Sequence, residues 1–278
     1  MNINLDSRIR ILIDSPLNHE GEFVLYWMTA QRRVTWNPAL EHAADLAEEL
    51  GRPLLVVEPF SSGYSYASDR LVTFVAQGML DNRQSFDGTG VRYIPWIETH
   101  RERGAGLLRR FSERACVVVI DDFPTGHPRY VMERAEKTLS TRLLAIDGCG
   151  VIPMSWTDKA PPLAHTFRRV VQRTVLEAIT NGPKPNPLDS RSSVLWMQDE
   201  QYNSLIQDLR FEMTPLEWLW RVAEGGKTGK EALEPLPIDH QVQPVVDRRG
   251  GSIEANRLLE VFINSRLDSY SDGRNNPS

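Results

Sequence analysis

The stretch GEFVLYWMTAQRRVTWNPAL, residues 21–40, decides the fold. Its first part, Phe23 to Met28, is a short continuous apolar run rich in aromatic and branched residues, the pattern of a strand buried on both faces. Thr29 to Trp36 is polar and carries Arg32 and Arg33. Asn37 then stands where a helix N-cap belongs and Pro38 at the first helical position, and Leu40, Ala43, Ala44, Ala47 and Leu50 recur at helical spacing before Gly51 closes the run. Arg52-Pro53 restarts the chain, and Leu54 to Val57 make a second apolar run. Strand, helix and strand joined by connections this short predict a parallel pair.

The rhythm repeats downstream. Helices are expected near Ser68 to Gln84, Arg101 to Arg114 and Arg129 to Leu139, with strands at Val91 to Pro95, Cys116 to Ile120 and Leu143 to Ile146. Residues 1–180 therefore read as an α/β domain with an open, doubly wound, Rossmann-like parallel sheet. In such sheets ligands bind beyond the carboxyl ends of the strands, where the loop after Met28 lies. Prolines in NGPKPNPLDS and LEPLPIDHQVQP mark residues 181–249 as a long interdomain linker, with a short amphipathic helix over Met213 to Val222 anchored on the first domain by the tryptophans of TPLEWLWRV. Gly250-Gly251 opens a final helix with Ala255, Leu258, Leu259, Phe262, Ile263 and Leu267 on one face, an apolar stripe that calls for a partner.

The 278 residues, 41% hydrophobic and 25% charged, suffice for one large core or two small ones. A net charge of -5 argues against a broad phosphate-binding surface. Cys116, at the head of CVVVI, and Cys149, between two glycines, fit no metal or redox spacing and read as inert thiols. The N-terminus is too acidic and proline-broken for a signal peptide, and no apolar run approaches the roughly 20 residues of a membrane span. The expectation is a soluble, cytoplasmic protein without membrane contact.

The usual chemistry-bearing motifs are weak. Gly226-Lys227-Thr228 has Arg221 where a phosphate loop requires its first glycine, and reads as a solvated loop. No G-x-G-x-x-G follows the first strand, which removes a simple dehydrogenase. Six scattered histidines offer no zinc spacing, so no metal site is expected. Asp121-Asp122-Phe123 closes a strand at the ligand-facing edge, where a capping or turn role outweighs ligand binding. His165, Arg168, Arg169 and Arg173 set basic charge along an expected helix, more simply a solvated face than a phosphate contact.

Several strings together resemble the N-terminal half of the photolyase/cryptochrome family, most closely the class II cyclobutane-pyrimidine-dimer photolyases. VLYWM, Arg33-Val34 and Asn37-x-Ala39-Leu40 resemble the family's first strand, loop and helix start. LLAIDGCGVIPMSWTDKA with LAHTFRRVV resembles the class II segment carrying Asp147, Val151, Asp158, Lys159, Thr166 and Arg168. GGSIEANRLLEVFINSRLDSYSDGRNNP resembles the double glycine, helix and Y-x-x-x-R-N-x-P string that opens the family's flavin-binding domain.

The resemblance implies an antenna-type α/β domain over residues 1–180, holding a deazaflavin or folate chromophore, the linker over 181–249, and over 250–278 the start of a truncated FAD-binding helical domain. It implies light-driven DNA repair by a deoxyribodipyrimidine photo-lyase, a flavoprotein lyase. With nearly all of the helical domain missing, no catalytic residue is assigned and the chain alone is expected to be inactive. Tyr270 would approach FAD only with that domain supplied, in cis or trans, and damaged DNA would be met only through it. Met28 and Trp36 are expected walls of the antenna pocket. The loop departs from the family, with Ala30-Gln31 and Trp36-Asn37 where an Arg-Asp pair and an Asp-Asn pair are usual. Two acidic positions and one basic one are lost. The alternative expectation is a stand-alone small-ligand or partner-binding protein, for example one pairing with a separate flavin-binding half.

Overall fold

The computed structural model describes residues 4–63, 65–99, 104–156, 161–191, 196–210 and 212–275. The strands are β1 (Ile9–Ile13), β2 (Phe23–Trp27), β3 (Leu54–Phe60), β4 (Arg92–Ile97), β5 (Ala115–Asp122) and β6 (Leu143–Asp147). The helices are α1 (Pro38–Leu50), α2 (Asp69–Phe86), α3 (Leu107–Ser112), α4 (Gly126–Thr138), α5 (Ala164–Thr180), α6 (Asp199–Asp208), α7 (Leu216–Glu224), α8 (Gly226–Leu233), α9 (Ser252–Ser265) and α10 (Tyr270–Gly273).

One sheet runs in the order β1-β6-β5-β2-β3-β4. Every neighbouring pair is parallel except β1 with β6, so the expected parallel sheet carries one antiparallel edge strand. The IRILI of β1 escaped the sequence reading because Arg10 interrupts a short, only partly buried run whose pairing comes from β6. All five residues of β2 are buried. Phe23, Leu25 and Trp27 join a core with Phe111, Met132 and Leu205, while Val24, Tyr26 and Met28 join another with Leu40, Ala43 and Ala47 of α1. Burial on both faces explains why β2 reads as continuous rather than alternating hydrophobicity.

The start of α1 follows from its sequence. The Asn37 side chain accepts from the Leu40 N–H, Pro38 occupies the first turn, and Gly51 ends the helix at φ 61°, a left-handed conformation that suits glycine. The helix expected from Arg101 is described only as α3, and residues 100–103 lie outside the described residues.

Residues 181–249 are packed onto the α/β body. Leu205 and Leu209 join the core on the α3–α4 face, whereas Leu219, Val222, Ala232 and Leu233 pack with Val72, Ala76 and Met79 of α2. The amphipathic helix expected at Met213 to Val222 is α7. The same region covers the β4 edge: Trp96 Nε1 donates to the Glu212 carbonyl (3.1 Å), the Ile97 N–H to Thr214 Oγ1 (2.8 Å) and Arg92 Nε to the Met197 carbonyl (3.1 Å). An open strand edge is thereby shielded from other chains. Gly226-Lys227-Thr228 is the first turn of α8 and not the expected loop, because apolar Ala232 and Leu233 anchor that segment against α2.

Candidate functional site

The loop after β2 leads into α1 on one face of the sheet, and the loop after β5 leads into α4 on the other. Since β2 and β5 are neighbours, the loops at their carboxyl ends part to opposite faces, the topological switch point where doubly wound sheets place ligands.

At this switch point the anion is the protein's own. Asp121, fully buried at the end of β5, accepts through Oδ2 from the N–H groups of Thr29 (2.8 Å), Ala30 (2.6 Å) and Gln31 (3.0 Å), and through Oδ1 from the Tyr26 hydroxyl (2.8 Å). Burial pushes the Asp121 carboxyl above its ordinary value, opposed by those donors, and burial likewise pushes the Tyr26 hydroxyl well up. Asn37, also fully buried, donates through Nδ2 to the carbonyls of Gln31 (3.0 Å) and Arg33 (2.8 Å) and to the Tyr26 hydroxyl (3.2 Å). Two side chains thus fix the loop from both ends.

Beside the switch point lies a second polar group. Arg32 Nη1 pairs with Glu58 at the end of β3 (2.9 Å), and its Nη2 donates to the Pro59 carbonyl (2.5 Å). Glu58 is buried and also accepts from Asn82 Nδ2 (2.8 Å) and the Tyr93 hydroxyl (2.5 Å). Burial, then Glu58, hold the Tyr93 hydroxyl well above its ordinary value. Glu98, beyond β4, accepts from Ser61 Oγ (2.5 Å) and the Gly104 N–H (3.0 Å). His127 at the start of α4 is lowered by partial burial and by Arg32, with Glu98 opposing. The hydroxyls of Thr29 and Ser62 are buried without a hydrogen-bond partner, which leaves polar capacity at this edge for a ligand or water.

The last loop of the edge is tied to the start of the chain. Arg10 grips Asp122 through Nε (2.8 Å) and Nη2 (2.9 Å), while Arg8 donates to the carbonyls of Asp147, Gly150 and Val151. Asp147 accepts from the N–H groups of Cys149 (2.9 Å) and Met154 (2.5 Å). The Cys149 thiol donates to the Asp122 carbonyl (3.3 Å) and is pushed up to about 11 by partial desolvation and by Asp147.

The residues singled out from the sequence are dispersed. Met28 is fully buried in the core against α1, while Trp36, at φ 50°, is 54% exposed with its N–H on the Pro185 carbonyl. Tyr270 begins α10, half-exposed, its ring edge-on to Phe262 at 5.5 Å. His165, Arg168, Arg169 and Arg173 lie on α5 with exposed side chains. Asp158, Lys159 and Pro277 of the family strings, and His100, lie outside the described residues. Among the described residues no cluster of histidine, cysteine or carboxylate could hold a metal, and no helix is long and apolar enough to cross a membrane. Sequence reasoning missed Arg32, Glu58, Asn82 and Glu98. A carboxylate directly following the apolar run LLVV or YIPWI was the available signal.

Fold and site together define an open, mostly parallel α/β unit with an internally charged switch point. No family model matches the chain. It is 24% identical over 271 residues to a deoxyribodipyrimidine photo-lyase of Methanothermobacter thermautotrophicus, covering 97% of this chain and 53% of that protein. It is 25% identical over 284 aligned positions to a deoxyribodipyrimidine photo-lyase of Arabidopsis thaliana, covering 97% of this chain and 51% of that one. The chain thus spans about half the length of these curated relatives. Its fold matches the crystal structure of a bacterial class III photolyase from Agrobacterium tumefaciens with a TM-score of 0.53 at 17% identity, over 95% of this chain and 49% of that one. Over nearly its whole length the chain is thus similar to members of the photolyase/cryptochrome family. These matches do not favour the stand-alone binding protein.

Proposed function

We propose that this chain is the antenna-type α/β half of a class II-like photolyase, working with a FAD-binding helical region in the light-driven splitting of cyclobutane pyrimidine dimers. One observation carries the reading: the alignment to two deoxyribodipyrimidine photolyases runs through 97% of this chain and only about half of each relative. The strings around Asp147, Thr166 and Arg168 support the class II assignment, and the double glycine followed by Tyr270 supports an adjoining flavin-binding region.

The carboxyl edge fits a polar heteroaromatic pigment such as a deazaflavin or a folate. Arg32, Glu98 and His127 supply charge and hydrogen bonds there, and the unpartnered Thr29 and Ser62 hydroxyls are spare donors. Such a pigment would absorb light and pass on its excitation. Met28, enclosed in the core, supports this edge from beneath rather than lining it. The described residues do not fit FAD on their own, since Tyr270 alone carries the flavin motif and it is half-exposed. Damaged DNA is met through the helical region, supplied in cis or in trans.

The test is the near-ultraviolet and visible absorption spectrum of the chain purified from a host that makes both deazaflavin and folate, with mass spectrometry of whatever denaturation releases. A stoichiometric antenna pigment without FAD is expected. A folded but colourless protein would overturn the antenna role.

A further inference from the structure

The double glycine has a structural role that the family resemblance does not describe. Ideal Cβ atoms added at Gly250 and Gly251 would fall 2.1 Å from the Phe74 carbonyl oxygen and 2.2 Å from Asp81 Oδ2, and Gly251 adopts φ 103°. On the α2 side Gly78 meets Gly251 backbone directly, a Cβ there lying 3.7 Å from the Gly251 Cα. No side chain separates the two backbones, and only glycine is admitted at positions 250 and 251.

Polar bonds then lock the contact. Gln77 Oε1 accepts from the Gly250 N–H (2.7 Å). Buried Asp81 accepts through Oδ1 from Arg249 Nη2 (2.9 Å) and through Oδ2 from the Ile253 N–H (2.9 Å) in the first turn of α9. A helix normally obtains this capping from its own chain just upstream, but here the carboxylate comes from another helix. Phe74, Gln77, Gly78 and Asp81 fall at i, i+3, i+4 and i+7, a single stripe of α2. None of the α9 side chains is buried, so packing does not set its direction.

We infer that Asp81 and Gln77 are positioning residues of a rigid joint, and that this joint alone fixes the direction in which α9 leaves the α/β body. Taken with the proposed function, on which this relevance rests, the joint sets the distance and angle between the carboxyl edge and whatever α9 carries. Both quantities govern how efficiently excitation crosses from one to the other.

The test needs no pigment, so its failure is distinct from failure of the antenna reading. Spin labels are placed at Gln84→Cys on α2 and Glu260→Cys on α9, both exposed, with exposed Cys149 replaced by Ser. Pulsed electron resonance then reads the distance distribution in this background and with Asp81→Ala or Gln77→Ala added. The background should give one narrow distance, and each variant a distribution roughly twofold broader or more, as expected for a released hinge. Gln77→Ala removes the bond to the Gly250 N–H and a second from Gln77 Nε2 to the Ala223 carbonyl, leaves buried Asp81 in place, and keeps the test open if Asp81→Ala fails to fold. A background already as broad as the variants, or a Gln77→Ala distribution as narrow as the background, would overturn the joint.

Discussion

A carboxylate sealed from water must have its charge answered by donors, and Asp121 has four of them, three from a loop some ninety residues earlier in the chain. Asp121→Asn turns an amide NH2 toward at least one of those donors, and should lower unfolding free energy by about 2–4 kcal/mol in urea titration. The sequence showed this acid as the end of a strand but not its partners, because Thr29, Ala30 and Gln31 bind it through backbone N–H groups. Side-chain identity does not display such bonds. The loop has lost its charged pairs at Ala30-Gln31 and Trp36-Asn37, yet its backbone is held by Asp121 and Asn37. A second residue-scale effect concerns His42 on α1, whose imidazole burial holds below its ordinary value, against the pull of Asp45, Asp6, Glu49 and Glu41. The unfolded chain then binds the proton more readily, so His42 contributes stability that is fully present above the ordinary imidazole value of about 6.5 and is lost progressively as pH falls from there through the lowered folded value. In His42→Gln the melting temperature should depend less steeply on pH below that point, as differential scanning calorimetry would show.

Elements were legible where a local rule sufficed. The start of α1 needed only Asn37, Pro38 and a helical period, and the structure adds that the same Asn37 amide holds two loop carbonyls. Asn37→Ala therefore loses more than a cap: about 2–3 kcal/mol by chemical denaturation, above the roughly 1 kcal/mol of an ordinary cap. Elements whose formation depends on distant partners were not legible. The β1 strand exists because β6 offers it an edge, and α8 because α2 offers it an apolar surface. The candidate site divides the same way. Its location followed from the strand rhythm, but Arg32, Glu58, Asn82 and Tyr93 come from four separate elements that only the completed sheet brings together.

At the scale of the molecule, both margins of the parallel part of the sheet, β4 and β6, are covered. The segment running from Met197 to Thr214 protects β4, while β1 protects β6 with Arg8 and Arg10 bracing the loops beyond it. Deleting residues 1–14 would leave β6 as an open, apolar edge. The shortened chain should form concentration-dependent oligomers by light scattering where the full chain does not. The same pairing also has a consequence in time. Ile9 is made early yet pairs with Ile146, so during synthesis the first strand to leave the ribosome waits for the last strand of its sheet. For that interval the nascent sheet has one unfinished margin, which β1, the earliest made of these six strands, waits to complete.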